Sequence, residues 1–576
     1  MDIPIFTKTL LYFMTIYTKL LSLFAVFIFV SSCNSVKKYN ETINTKHSVK
    51  EIHQDIDYTF KKIEKLHPNL YWFISKEELG RKIDSVKNSI NTPITSKDFY
   101  YILSPLVSEI RQGHNSVGFP LDRFEKEEYE ERFKNTKNDF TKLEFERIED
   151  KIIISDVFDS IKSLQFAEIL KIDSFEVADI LKKHNFLRSS DGFNTTFYER
   201  REGLFLPSYY RVENPTLDSV TLTLKQNNLV FDTTFYREID SSLLDNKKVK
   251  KDKKSEEKEA AKDTVDTKKT DNKPNHIRGY DKRTERYTRN YVFMKDSSVG
   301  YLKIRGFTTG PFADLYDEFF NYVDSANSET VILDLRNNLG GRLNEIHYLM
   351  EYLSLEEFIT IEPMESNTAI PRTNSIWSSN NQPVLVVLKS IVTPFLYVYE
   401  KSTSKKKNGV YYHKMKSSKL TEPKENAFKG KVYVLVNGNS FSASSIISSN
   451  LQGSGRATIV GEETGGTYNG TVAGVFKPIK LPHSKLRVQF GLGMIKAPYT
   501  ESPDGKGVIP DVTILPTLNH RINKIDTELE WILNEVEKNK KVTDTAPEKE
   551  VELEKELDDS KQSEIPKIEN ANEEKE

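Results

Sequence analysis

The segment Val432-Tyr-Val-Leu-Val436 is a run of β-branched, aliphatic and aromatic residues of the kind that buried strands use. Asn437-Gly438-Asn439 breaks the run, and Phe441 to Leu451 reads as a helix. A serine in the first turn of that helix would sit among unpaired backbone N–H groups at the positive end of the helix dipole. There an alkoxide and a developing oxyanion are most easily stabilised. Serines are also ordinary helix caps, so the segment by itself does not say which of its serines carries chemistry.

The surrounding chain, from about residue 289 to 525, alternates strands and helices in α/β fashion. Gly300 to Ile304, Thr330 to Leu335, Lys431 to Val436 and Ala457 to Val460 read as strands, and Arg342 to Leu353 as a helix. Three constellations stand out in this region. The first is Asp334-Leu-Arg-Asn-Asn-Leu-Gly-Gly341, a strand end followed by a glycine pair that lets backbone N–H groups approach a ligand closely. A phosphate loop would need a lysine followed by serine or threonine, and Arg342-Leu343 does not supply that. The second is the serine turn with the following Gly455-Arg-Ala-Thr-Ile-Val-Gly-Glu-Glu-Thr-Gly-Gly466, and the third is Gly507-Val-Ile-Pro-Asp511.

In this order and spacing the three resemble the C-terminal-processing (tail-specific) serine peptidases and their relative, the tricorn core protease. The resemblance implies a crotonase/Clp-protease-like catalytic domain, preceded by a helical part and a PDZ-like module. It implies that the nucleophile is the middle serine of the alternating run, Ser442, with Ser440 left as a cap. It also implies an oxyanion site at the backbone of Ala443 and of Gly340 or Gly341.

Tail-specific members use a lysine base that follows the last glycine of a Gly-Glu-x-Thr-x-Gly motif. Here that position is Thr467, and the next lysine is Lys477, in a separate strand. Tricorn-type relatives use a histidine from elsewhere, and His114 in Arg111-Gln-Gly-His-Asn115 matches that motif. A histidine suits the role because its ordinary pKa lies near neutrality. The orienting acid implied by the same resemblance is Glu501 or Asp504, in Thr500-Glu-Ser-Pro-Asp-Gly505. Pro510 and Asp511 read as structural. No His-Glu-x-x-His pattern or close histidine pair suggests a metal, and no cofactor is expected.

Upstream, Ile52, Ile56, Phe60, Ile63 and Leu66 are spaced for one buried helix face, and Thr95 to Asp98 offers helix-start chemistry before a second. Gly113 reads as that helix's C-terminal stop. The region 33–120 is therefore a helical domain. Between 121 and 240 the strands Lys151 to Ile154, Glu168 to Ile172 and Thr221 to Leu224, with a helix at Val177 to His184, resemble a PDZ-like module, although Ser174 stands where a glycine is expected. Such a unit binds chain ends by adding a strand to its sheet.

Lys247 to Lys273 interleaves lysines with acids and carries no aromatics, so 241–288 reads as a charged linker and not as a nucleic-acid surface. A second charged segment, 526–576, forms the tail. The net charge of −2 over 576 residues gives no global pull toward nucleic acid. Residues 1–32 are a targeting segment: an apolar run ending in Val30-Ser-Ser-Cys33, the only cysteine in the chain. This resembles a bacterial lipoprotein signal with lipidation at Cys33, a signal-anchor helix being the alternative.

The expectation is a serine endopeptidase anchored by lipid in the bacterial cell envelope, periplasmic or at the outer membrane, cleaving extended protein or peptide substrates. A non-catalytic peptide- or hydrophobic-ligand-binding protein on the same scaffold, or an esterase, is the alternative. Because His114 lies far from Ser442, removing the residues before about Phe119 is expected to abolish activity even if the catalytic domain stays folded.

Overall fold

The computed structural model describes residues 36–133, 136–138, 143–156, 159–214, 218–239, 278–281, 286–308, 310–377 and 383–540. The targeting segment with Cys33, nearly all of the charged linker and the end of the tail lie outside the described residues.

The β-branched run does form a buried strand. Lys431–Val436 lies in a six-stranded sheet in the order Arg289–Met294, Val299–Ile304, Thr330–Asp334, Lys431–Val436, Ala457–Gly461, Val512–Thr513. Only the first pair is antiparallel. Parallel strands are covered on both faces, which explains why every residue of Thr330–Asp334 is buried. Helices Ala313–Ser325, Leu343–Leu353 and Ala443–Gly453 contribute Phe319, Leu349 and Ile447 to the same core as Leu333 and Val434. Asp334 is in register with Leu435, so the glycine loop and the serine turn leave adjacent strands side by side.

A second sheet is built on the hairpin Gly470–Lys480 and Arg487–Lys496. The short strand Ser116–Gly118 joins it, pairing Ser116 with Gln489 and Val117 with Val488. The upstream helices are Val49–Leu66, Lys76–Ser89 and Ser96–Ser108. Ser48 and Thr95 each close a capping box on the helix that follows. Ile52, Ile56, Phe60 and Ile63 are buried together with Val488, Phe490 and Leu492. Buried Asp55 accepts the backbone N–H of His483 at 3.1 Å and of Ser484 at 2.8 Å, and the Ser484 hydroxyl at 2.6 Å.

The helical part and the hairpin therefore share one core. Removing the residues before Phe119 would strip an apolar face from that hairpin. Gly113 is not the helix stop expected of it. The helix ends at Ser108, and the left-handed backbone after it falls on Arg111, at φ 56°.

Between these parts an antiparallel sheet has its own core, with Phe145, Ile154, Ile169, Leu222 and Leu224 buried together. Its strands run in the order Thr136–Asn138, Leu229–Ile239, Ser219–Gln226, Glu168–Ile172, Lys151–Asp156, Glu144–Ile148. Helices Val177–His184 and Thr196–Glu213 belong to the same stretch of chain. From Ile514 onward the chain forms a second unit, in which helix Leu518–Ile522 is capped by Thr517 and a longer helix follows at 527–540. Among the described residues no helix is long and apolar enough to cross a membrane.

Candidate active site

The serine run is sorted by its hydrogen bonds. Ser440 is buried, accepts the Asn437 N–H at 3.0 Å and donates to Leu335 O at 2.8 Å. It thus fastens the turn, and is not the helix cap. Ser444 donates to Asn338 O at 2.8 Å, Ser445 to Ser440 O at 3.0 Å, Ser448 to Ser444 O at 2.8 Å and Ser449 to Ile446 O at 3.0 Å. All four are buried. Ser442 alone of the run is partly exposed, and among the described residues its hydroxyl makes no hydrogen bond.

Ser442 occupies the N-cap position of Ala443–Gly453 with φ 58° and ψ −118°, and its side chain does not cap the helix. An L-residue held there stores strain of about 1–3 kcal/mol. Tight glycine contacts hold the conformation. A Cβ on Gly340, itself at φ 95°, would lie 2.6 Å from Phe441 O and 2.8 Å from both Ala443 N and Ser442 Cβ. A Cβ on Gly466 would lie 2.9 Å from Ser442 N. Gly340 of the first motif and Gly466 of the second therefore both pack against the serine corner. The third motif closes the assembly, with Val508 N–H donating to Thr464 Oγ1 at 2.8 Å and Ile459 N–H to Asp511 Oδ2 at 2.7 Å.

Backbone donors at this corner divide cleanly. Gly340 N–H is taken by Asn338 Oδ1 at 2.9 Å, while the N–H groups of Gly341 and Ala443 make no hydrogen bond among the described residues. Two open donors flank an uncommitted hydroxyl, the arrangement that stabilises an oxyanion. Asn338 was not singled out from the sequence. Its carbonyl accepts from Phe441 N–H at 3.0 Å and from Ser444, and its amide donates to Ile304 O at 2.9 Å, so it ties the glycine loop to the serine turn.

His114 reaches this corner from the N-terminal part. Its ring centroid lies 5.1 Å from that of Phe441, the residue before Ser442, and 5.6 Å from that of Phe476. Gly113 allows the approach, since a Cβ there would lie 2.5 Å from Phe441 Cζ.

Residues 298–514 match the family model of peptidase family S41. The match covers the stretch that holds the glycine loop, the serine turn and the hairpin. Similar solved structures include mature CPAF, at 14% identity and a TM-score of 0.48 over 82% of this chain and 94% of that one. A peptidase-like structure from Parabacteroides merdae follows at 12% and 0.38 over 85% and 96%. The photosystem II D1 C-terminal processing protease stands at 11% and 0.39 over 81% and 93%. Comparison with curated proteins finds no match.

In the matched region the two acids read from the sequence do not touch the histidine. Glu501 is exposed, and its backbone exchanges hydrogen bonds with the Asn469 side chain at 2.7 and 2.9 Å. Asp504, also exposed, accepts from Trp72 Nε1 at 2.6 Å and from Asn469 Nδ2 at 3.0 Å. Neither makes a hydrogen bond to His114 among the described residues. Both fasten a surface loop. Thr467 is buried and bonded to Gly470 O, and the Lys477 ammonium is spent on the carbonyls of Asn374 and Trp377, so no lysine stands in for a base.

The acid beside His114 is Asp191, which belongs to the region between the helical part and the stretch matched at 298–514. Its Oδ1 accepts the Gly113 N–H at 2.6 Å. The Thr471 hydroxyl lies 3.1 Å from His114 Nδ1, and it also faces the Asp191 carboxyl and tempers its proton affinity. Asp191 Oδ2 is buried without a hydrogen-bond partner of its own, so the contact with Thr471 is looser than the one with Gly113. Burial pushes the Asp191 carboxyl up to about 7 and pulls His114 down to about 4. The histidine is therefore neutral at physiological pH, as a proton acceptor must be. From sequence, Ser189-Ser190-Asp191-Gly192 reads only as a polar turn. Its place beside His114 is set by tertiary contacts, among them Gly192 N–H to Arg111 O at 2.9 Å and Phe193 N–H to Gly505 O at 2.9 Å. Among the described residues no cluster of His, Cys, Asp and Glu could hold a metal ion.

Proposed function

We propose that this chain is a serine endopeptidase in which Ser442 is the nucleophile and His114 the general base. The observation that carries the reading is the Ser442 hydroxyl itself: alone in its run it is uncommitted, and open N–H groups of Ala443 and Gly341 lie beside it. Ser442 Oγ attacks the scissile carbonyl carbon while His114 Nε2 takes its proton, and the two N–H groups hold the resulting oxyanion. Collapse breaks the C–N bond, and His114 returns the proton to the leaving amine. Water then repeats the sequence and releases Ser442.

Thr471 and Asp191 set which nitrogen of His114 is free. With Asp191 ionised, Thr471 donates toward the carboxylate and accepts from Nδ1–H, which leaves the Nε2 lone pair for Ser442. With Asp191 protonated, the donor direction through Thr471 reverses, and the proton of the neutral ring moves to Nε2, where it cannot act as a base. Asp191 is thus a positioning residue acting through Thr471.

The substrates of this reading are extended or unfolded protein segments, presented by the intervening sheet unit acting in the manner of a PDZ-like module. Lipidation of Cys33 would hold the enzyme on the outer side of a bacterial cytoplasmic membrane or on the outer membrane. A fluorophosphonate probe tests the core of the proposal. We expect one adduct, on Ser442, lost in Ser442→Ala and strongly slowed in His114→Ala. A folded chain that forms no adduct would be a peptide-binding protein, and ester turnover without cleavage of a disordered protein would make it an esterase.

A further inference from the structure

The helix Pro383–Thr403 carries its amphipathicity inside out. Leu385, Leu388, Ile391, Val392, Phe395 and Val398 are all exposed, Phe395 at 75% and Val398 at 64%. At 100° per residue they span an arc of roughly 140°, one continuous apolar stripe along a helix about 31 Å long. The polar residues lie on the other side. Ser390 and Thr393 are half-buried and donate to their own helix, to Val386 O at 2.8 Å and Lys389 O at 2.6 Å. The C-terminal end is clamped: buried Glu400 accepts the backbone N–H groups of Arg372 and Thr373, each at 2.8 Å.

Charge then appears abruptly. From Lys401 to Thr421 the chain has no aspartate or glutamate, while Lys401, Lys405, Lys406, Lys407 and Lys414 are all exposed. Tyr399, exposed as well, falls within the same arc and carries it toward the lysines. An apolar arc that includes an exposed tyrosine and an adjoining basic segment free of carboxylates are the features of a helix that lies in a lipid interface. Anionic headgroups would meet the lysines while the acyl region receives the stripe. A second copy of the chain fits less well. A two-fold contact repeats the same surface on both sides, and this one offers no carboxylate to meet the partner's lysines.

We propose that Pro383–Thr403 is a membrane-surface helix that lies in the headgroup region of an anionic bilayer, with the segment from Lys401 onward as its electrostatic contact. The inference rests neither on the peptidase reading nor on lipidation of Cys33.

The full-length chain, mixed with phosphatidylglycerol–phosphatidylethanolamine vesicles that carry a photoactivatable acyl chain, provides the test. Mass spectrometry of the digested product should find lipid adducts on peptides from residues 383–403. In Ile391→Glu/Phe395→Glu, whose two sites are exposed, these adducts should fall at least about tenfold with the melting temperature unchanged. Vesicles of phosphatidylcholine alone should give correspondingly weak labelling. Three results would overturn the proposal: no adducts on 383–403 in the native chain, equal labelling of the double variant, or chain-to-chain crosslinks through this helix that vesicles do not displace. The last would assign the surface to a second copy.

Discussion

His114 Nδ1 lies 3.1 Å from the Thr471 hydroxyl, and that hydroxyl faces the buried carboxyl of Asp191. Since burial holds Asp191 up at about 7, its ionisation falls within the working range of an enzyme. We expect kcat/KM to rise as pH increases through about 7, with the form ionised above that pH being the active one. Asp191→Asn should remove this inflection, and Thr471→Val should lower kcat by roughly 10- to 100-fold with little change in KM. An Asp191→Asn enzyme that keeps the same pH profile would show that the acid acts elsewhere.

The strained Ser442 backbone gives an opposite pairing of stability and activity. Glycine adopts φ 58° and ψ −118° freely, so Ser442→Gly should stabilise the fold by about 1 kcal/mol while abolishing turnover. Urea denaturation measures the first effect. Equal or lower stability of the variant would mean that the corner is not strained.

Gly340→Ala should do the reverse. Its methyl group would enter the space between Phe441 O and Ala443 N, 2.6 and 2.8 Å away. Displacing the corner misplaces both oxyanion donors, so a loss of about 100-fold or more in kcat is expected. Stability should fall by about 1–3 kcal/mol in the same variant. Near-normal kinetics would show that the glycine loop does not frame the oxyanion.

Asp55 offers a test far from the chemistry. Asp55→Ala would orphan the buried N–H of Ser484 along with that of His483, a loss of about 2–4 kcal/mol. Because the same contacts hold the helical part against the hairpin, activity should decay at a lower temperature in this variant than in the native chain. Matched inactivation curves would argue against that coupling.

Acid should weaken the fold through its neutral histidines. Burial lowers His114 to about 4 and His67 to about 3, below the unfolded value of 6.5. The unfolded chain therefore binds more protons in this range, so the contribution is complete above 6.5 and is lost as pH falls toward these values. On the order of 2 kcal/mol per histidine should disappear by pH 4. His67→Gln should flatten the dependence of stability on pH between 6.5 and 4, and an unchanged slope would refute the assignment.

The strand at Lys431–Val436 was legible because a parallel strand buried on both faces must be apolar throughout. The turn was legible because Asn437-Gly438-Asn439 is punctuation that few other structures use. The roles within the turn were less so: Ser440 and Ser442 are both capping residue types, and only the third dimension shows that Ser440 spends its hydroxyl on Leu335. The place of His114 at the serine corner could be reached from its motif. That of Asp191 could not, because it lies 78 residues from Gly113 and reaches it through a loop whose local sequence promises only a turn. Glu501 and Asp504 had the right residue type near the right motif, but their hydrogen bonds go to Asn469 and Trp72, while the carboxyl beside His114 carries no motif at all. The exposed helix at Pro383–Thr403 defeats sequence reading for a related reason, since apolar periodicity reports which residues share a face and not whether anything covers it.

The residues that would cooperate in peptide cleavage come from three successive regions, His114 first, Asp191 next and Ser442 last. A chain emerging from its N-terminus has its base and positioning acid long before it has a nucleophile. The hairpin that supports the histidine, Gly470–Lys480 and Arg487–Lys496, is made later still. Under the peptidase reading, the chain therefore stays harmless until almost the whole sequence has been made and folded.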